Sequence, residues 1–204
     1  MITLRRILLP IVLVLLAALP VQAASNAELF RESYQLEAKG DYGQALARMN
    51  KVTTTATTTY FVVARRAWLA HLAGRYDEAA KSYRQAITLA PKAVEPRLGL
   101  TLPLLAQGKW RELELACGEV LKLDPKNAVA RARLAHAHYS VGNYPDAAVV
   151  YRALVEEYPA DLNHQTGLAW AIARMGRVAE AKTMFRAVLE VSPDNPNAQA
   201  GLAL

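Results

Sequence analysis

The stretch GNYPDAAVVYRALVEEYP, residues 142–159, recurs in outline along the chain at one fixed spacing. The counterparts of its first residue are Gly40, Gly74, Gly108, Gly142 and Gly176. Each neighbouring pair of these glycines differs by 34 in number, so no residue is inserted or lost across five units. Such a period is typical of two-helix units that stack into a solenoid, where each unit buries its apolar face only against its neighbours. The spacing therefore predicts an all-α fold.

A second pattern follows the glycines and is fullest in the second unit. There, Gly74 is followed by an aromatic residue two places on, a small residue at five, an aromatic at nine, a small residue at twelve and proline at seventeen. In the fourth unit these are Gly142, Tyr144, Ala147, Tyr151, Leu154 and Pro159. The second and fifth units are close to it, whereas the first and third carry Met49 and Cys117 at the second aromatic position. In period and pattern, roughly residues 26–204 resemble the tetratricopeptide repeat family.

The resemblance implies a right-handed α-solenoid of about five helix–turn–helix repeats with a short C-terminal capping helix. The predicted parts are a signal peptide at 1–23, repeats at 26–59, 60–93, 94–127, 128–161 and 162–195, and a partial capping helix at 196–204. The repeats at 26–59 and 94–127 are degenerate. In the first of them, a threonine-rich run at 53–59 replaces the proline turn, which indicates either a soft joint or a degenerate turn in a well-docked repeat.

The first 23 residues have the order of a secretory signal. Arg5 and Arg6 precede an apolar run at 7–19, and Val21-Gln22-Ala23 provides a cleavage site. Cleavage after Ala23 would deliver the protein to a bacterial periplasm. The alternative is an uncleaved anchor in the inner membrane, since the run falls only somewhat short of the roughly 20 residues of a spanning helix.

Composition and charge exclude several classes of function. The formal net charge is +6, from 24 basic and 18 acidic residues that are interspersed, which does not indicate nucleic-acid binding. Cys117 is the single cysteine, so an intramolecular disulfide is impossible, and its position predicts a small buried core residue.

No catalytic motif is present in the sequence. It contains no HExxH, CxxC, GxSxG or phosphate-binding loop. His136 and His138 are two residues apart and diverge by roughly 200° on a helix, so they do not form a metal pair. We therefore predict a non-enzymatic protein with no cofactor and no metal.

The candidate functional surface is the face that the pattern leaves uncommitted. With each unit counted from fourteen residues before its glycine, position 9 of the first helix points away from the family's inward positions at about 100° per residue. A face that met only water would be polar, but this one carries aromatic and apolar residues. Other residues lie at similar angles on the first helices, and Arg31 is one of them. The predicted partner-binding set is Phe30, Tyr34, Phe61, Arg65, Trp68, His71, Leu102, Arg133, His136, Tyr139, Trp170 and Arg174.

The resemblance implies that this face lines a concave groove where partner segments bind. The alternative is that the rings pack against neighbouring first helices and only stiffen the array. Some family members clamp a C-terminal carboxylate with Lys and Asn at positions 5 and 9 of the first unit. Phe30 and Tyr34 occupy those positions here, which favours an extended or helical ligand with apolar anchors, its carboxylates or backbone carbonyls meeting the arginines.

The leading hypothesis is a non-enzymatic adaptor or scaffold in the cell envelope that binds a protein or peptide partner in the groove. It predicts no nucleic-acid partner, and membrane association only through the N-terminal segment. One alternative is a self-assembling scaffold, in which a poorly capped end docks on a second copy to form a homo-oligomer. Another is an accessory subunit of an envelope machine for secretion, pilus assembly or cytochrome maturation.

Overall fold

The computed structural model describes residues 24–204, which form eleven α-helices and no β-strand. The helices are α1 (Asn26–Ala38), α2 (Tyr42–Asn50), α3 (Thr59–Leu72), α4 (Tyr76–Leu89), α5 (Glu95–Ala106), α6 (Trp110–Leu123), α7 (Ala128–Ser140), α8 (Tyr144–Glu157), α9 (Leu162–Arg174), α10 (Val178–Val191) and α11 (Pro196–Leu202). This confirms the predicted all-α solenoid. The predicted signal peptide, residues 1–23, lies outside the described part of the chain.

The repeated glycine makes the turn inside each hairpin. Gly142 has φ +85°, a left-handed conformation that glycine adopts without steric cost. The Asn143 amide donates to the His138 carbonyl at 2.8 Å and the Gly142 amide donates to the Tyr139 carbonyl at 3.1 Å, the bond pair that closes a Schellman helix end. The other four turn glycines also have positive φ. One local geometry therefore sets the angle of all five hairpins.

The proline junctions lead into capped helix starts. Asn127, Asp161 and Asn195 each follow a junction proline by two residues, and their side chains accept a hydrogen bond from the first turn of α7, α9 and α11. The N-cap of α5 is Val94, whose side chain has no cap bond to make. A side-chain N-cap hydrogen bond thus fixes the start of the next helix at three of the four proline junctions.

The helices lie in two layers. Successive first helices touch one another, α3 with α5, α5 with α7, α7 with α9 and α9 with α11. The second helices of neighbouring units make no comparable contact within residues 24–204. Closer approach on one side means that the stack curves, with the first helices on its inner face. The predicted groove face is therefore the inner face of the solenoid.

Three aromatic rings of the second helices fit against glycines of the next first helix. A Cβ placed on Gly167 would be 2.6 Å from Cζ of Tyr151, and one on Gly201 would be 2.2 Å from Cε2 of Phe185. The third pair, Tyr83 and Gly99, has a corresponding distance of 2.3 Å. Each glycine follows its ring by sixteen residues. We call these three places glycine windows.

The two degenerate units have a different and equally regular arrangement. Where Met49 and Cys117 replace the ring, the residue sixteen places later is Arg65 or Arg133 instead of glycine. Each arginine reaches back to a buried hydroxyl on the preceding first helix, Arg65 to Ser33 and Arg133 to Thr101. Cys117 is fully buried, as predicted. The departures from the repeat pattern therefore belong to a second packing solution and are not random loss.

The threonine-rich junction is tied to its neighbours. The Asn26 side chain donates to the Thr53 carbonyl at 2.8 Å and accepts from the Thr53 amide at 3.0 Å. The Arg66 guanidinium donates to the carbonyls of Met49 and Val52. Val52 is itself buried. These contacts favour the docked, degenerate turn over the soft joint.

The last helix covers the end of the array. Ala203 is exposed, whereas Leu202 is partly buried and packs against the core cluster that contains Phe185. Ala198 and Gly201 are the buried residues of α11. Gly201 takes the cap role because only a residue without a side chain allows the Phe185 ring beneath it to approach so closely.

Candidate partner-binding groove

The predicted side chains differ in how far they reach into the groove. Tyr34 and Phe61 are 56% and 67% exposed and Trp68 is 38% exposed, which is unusual for large apolar rings. Phe30, Leu102 and Trp170 are half-buried. The packing role that we considered for these rings is therefore real for part of the set, since Phe30 packs against the core at the N-terminal end and Trp170 against the core at the C-terminal end.

The N-terminal end of the groove holds an aromatic and ionic cluster. The Arg65 guanidinium carbon lies 3.6 Å from the centroid of the Tyr34 ring, a cation–π contact. Its Nη2 lies 2.9 Å from a carboxylate oxygen of Glu37, and the Trp68 indole N–H donates to the other at 2.8 Å. Glu37 was not among our predicted residues. It supplies a counter-ion to Arg65 within the chain.

Arg133 is in a different position at the centre of the groove. Its Nη1 donates to the Leu98 carbonyl at 3.0 Å and to the Thr101 hydroxyl. Among residues 24–204 no carboxylate forms an ion pair with it. Residues 1–23 contain no Asp or Glu. The half-buried charge of Arg133 is therefore not balanced by any carboxylate of this chain.

His71 lies in the field of that charge. Its ring packs at 6.1 Å from the Trp68 ring and 5.6 Å from the Tyr76 ring, between centroids. Burial, and then the positive charge of Arg133, lower the pKa of His71. The imidazole is therefore neutral at pH 7 and adds no second positive charge to the middle of the groove.

The C-terminal half of the groove contains a cavity of about 410 Å³ between α7, α9 and α11, which we call the ring pocket. Its lining residues are His136, Tyr139, Tyr151, Asn163, Thr166, Gly167, Trp170 and Asn197. The structure thus brings together three of the predicted residues. Trp170 stands edge-on to Phe185 at 5.3 Å between ring centroids, which fixes the wall of the pocket. Arg174, at the end of α9, is exposed and lies 5.8 Å from the Tyr144 ring centroid.

Sequence reasoning missed the floor of this pocket. Tyr151 stands at the second aromatic position of the fourth unit and is buried. Its ring nevertheless reaches the inner face through the glycine window at Gly167 and lines the pocket. The spacing of sixteen between an aromatic residue and a glycine was the signal in the sequence that could have revealed it.

Two titratable groups of the ring pocket, Tyr151 and His136, are uncharged at neutral pH. Burial raises the pKa of the Tyr151 phenol to about 12. Desolvation also lowers the pKa of His136, although part of that side chain meets solvent, because the ring stands against Trp110 at 5.4 Å. The pocket therefore offers aromatic surface and neutral polar groups, which suits an apolar or aromatic ligand group.

A wider recess of about 1010 Å³ adjoins the ring pocket at the N-terminal ends of α7 and α9. Val129 and Ala132 form an apolar side of it, and Arg133 supplies its positive charge. Asn163 lines both the recess and the ring pocket. A ligand can thus pass from one to the other along the inner face.

Two classes of site are absent from the part of the chain that the structure describes. Within residues 24–204, no three His, Cys, Asp or Glu side chains lie close enough together to hold a metal ion. In the same part of the chain, no helix combines the length and apolar character needed to cross a bilayer.

Stacked helical hairpins with an open inner face define an α-helical repeat protein. The chain belongs to the tetratricopeptide repeat family, and three sequence profiles described as tetratricopeptide repeat match residues 61–93, 104–171 and 166–195. A search of curated protein sequences gave no significant match.

Solved structures show the same fold at low sequence identity. A tetratricopeptide repeat protein from Parabacteroides merdae superposes with a TM-score of 0.77 at 19% identity, over 87% of this chain and 71% of that one. MamA from Desulfovibrio magneticus gives 0.75 at 16% identity, over 85% of this chain and 98% of its own. YrrB, described as a repeat protein with an unusual peptide-binding site, gives 0.71 at 14% identity, over 88% and 93%.

Proposed function

We propose that this protein is a non-enzymatic adaptor of the cell envelope that holds a segment of a partner protein in its groove. The observation that carries the proposal is the row of exposed rings on the inner face, led by Tyr34, Phe61 and Trp68. Large rings bury much area at low entropic cost and recur as anchors in protein interfaces. The family fold is a protein-interaction scaffold, and YrrB is an example with a peptide-binding site.

The groove assignment can be tested with a matched pair of positions. Phe61 on the inner face and Val149 on α8 are 67% and 68% exposed, so they are equally accessible to solvent. A photo-crosslinking amino acid, p-benzoylphenylalanine, is placed at one or the other and irradiated in intact cells. We expect a discrete adduct from position 61 and none from position 149. Equal labelling at both positions would contradict the groove.

Trp68 supplies the corresponding loss-of-binding test. Trp68→Ala removes an exposed ring and one hydrogen bond to Glu37, so helical content should be unchanged while the adduct at position 61 is lost. Trp170→Ala is less clean as a probe because that ring also packs against Phe185. If Trp68→Ala still forms the full amount of adduct, the exposed rings are not part of the binding surface.

The envelope part of the proposal rests on the signal-like residues 1–23. We expect the protein recovered from its host to begin at Ala24 and to be released with the periplasmic fraction. Intact mass and N-terminal sequencing after fractionation measure this. An uncut chain in the membrane fraction would favour the anchored alternative, and an uncut chain in the cytosol would refute export.

A further inference from the structure

Arg133 is held in the groove by a hydrogen bond to a buried hydroxyl, but it has no carboxylate partner among residues 24–204. Arg65, its counterpart two units earlier, makes the same bond to a buried hydroxyl but is also paired with Glu37. The residue that corresponds to Glu37 in the unit before Arg133 is Leu105, which has no carboxylate to offer. The same packing solution thus occurs once with its counter-ion and once without.

The groups nearest to Arg133 do not supply the missing charge. Tyr83 and Cys117 both lie in its field, and burial raises the pKa of each to about 12. Both are therefore neutral at pH 7. Arg133 donates only through Nη1, so its Nε and Nη2 have no hydrogen-bond partner among residues 24–204. An arginine is never deprotonated, and a planar carboxylate is the partner that satisfies two of its donors at once.

The ring pocket lies at the right distance to take part in the same binding event. Arg133 and His136 are three residues apart on α7, a rise of about 4.5 Å. Side chains on one face of an extended peptide recur about every 6.6 Å. If two ligand residues are separated by one other residue, the side chain of the first can therefore reach Arg133 while that of the second enters the ring pocket.

Asn163 stands between the two and is available to the ligand backbone. Its side chain lines both recesses and has no hydrogen-bond partner in the described part of the chain, and only its main chain is bonded locally. A carboxamide offers both a donor and an acceptor, which is what an extended backbone requires.

We infer that α7 and α9 bind an extended acidic segment of the partner, with an Asp or Glu carboxylate on Arg133 and an aromatic side chain, two residues away, in the ring pocket. The inference rests on the proposed function and specifies its ligand. Charge complementarity selects the acidic residue, and the aromatic and neutral lining of the ring pocket selects the other.

The test uses short peptides as probes with the protein from Ala24 onward. The parent peptide is an acetylated and amidated nonapeptide with Asp-Gly-Phe at its centre, so the side-chain carboxylate is its only anion. Its variants replace Asp with Asn, or Phe with Ala. Binding is followed by NMR through the indole N–H signal of Trp170, a residue that lines the ring pocket.

We expect the Asp peptide to bind about tenfold more tightly than the Asn peptide, because a charged hydrogen bond is lost. Arg133→Gln should abolish this preference and retain the dependence on Phe. Arg186→Gln removes the same charge from an exposed position on α10 and should leave the preference intact. The two variants together separate a local contact from general attraction to a basic protein.

Two results would overturn the inference. In one, Arg133→Gln retains the full Asp preference or Arg186→Gln loses it. In the other, no peptide shifts the Trp170 signal. If the crosslink at Phe61 forms in either case, the adaptor function stands and only the assigned ligand is wrong. If that crosslink is also absent, the groove itself is refuted.

Discussion

Phe185→Ala is expected to lower the free energy of unfolding by about 3–5 kcal/mol, the range for removing a buried aromatic ring. Phe185 is fully buried, and it fills the space between Gly201 of α11 and the Trp170 ring of α9. Because each repeat is stabilised only by its neighbours, the loss should fall on the end of the array. The substitution should therefore open α11 before the rest of the solenoid.

Urea unfolding and hydrogen exchange measure the two parts of this expectation. Val191→Ala is the matched control, since Val191 lies on the same helix and is 71% exposed. It should change stability by no more than about 0.5 kcal/mol. A comparable loss in both variants, or unchanged protection of the α11 amides in Phe185→Ala, would contradict the assigned role of the ring.

Gly167→Ala is expected to destabilise the protein by about 1–3 kcal/mol, as an overpacked core does. This change in stability has the opposite sign to the one that intrinsic helix propensity predicts, because propensity favours alanine over glycine in a helix by about 1 kcal/mol. The reason is the Tyr151 ring, whose Cζ would lie 2.6 Å from the new Cβ. That ring is buried and cannot move aside without disturbing the ring pocket.

Gly118→Ala provides the control with the opposite sign. Gly118 is also helical, and a Cβ there meets nothing within 4 Å. This variant should gain up to about 1 kcal/mol. Thermal unfolding compares the two, and Tyr151→Leu should reduce the cost of Gly167→Ala. A stabilising Gly167→Ala would show that the glycine windows do not constrain the helices.

The fold could be predicted from sequence because its determinants are local. A left-handed glycine and an asparagine or aspartate cap act within one turn, and an unbroken period then repeats the same hairpin along the chain. The extra cap on α11 could not be assigned as well, since Gly201 acts through a ring from another helix.

The site was predictable only as a face. Helical geometry places Tyr34, Trp68 and His136 on the groove face from their spacing alone. The partner of Arg65 and the floor of the ring pocket depend on contacts between units, which no single helix encodes. Whether the selected residues bind a partner remains a prediction.

The glycine windows and the arginine–hydroxyl arrangements also restrict which repeats can be neighbours. A glycine window pairs a second helix with the first helix that follows it, as Tyr151 with Gly167, and the other arrangement spans three successive helices through Thr101, Cys117 and Arg133. If one 34-residue unit were exchanged for another at its boundaries, an arginine could meet a tyrosine that requires glycine. The order of the units is therefore constrained by steric compatibility, and recombination that preserves the fold must carry a second helix together with the first helix that follows it.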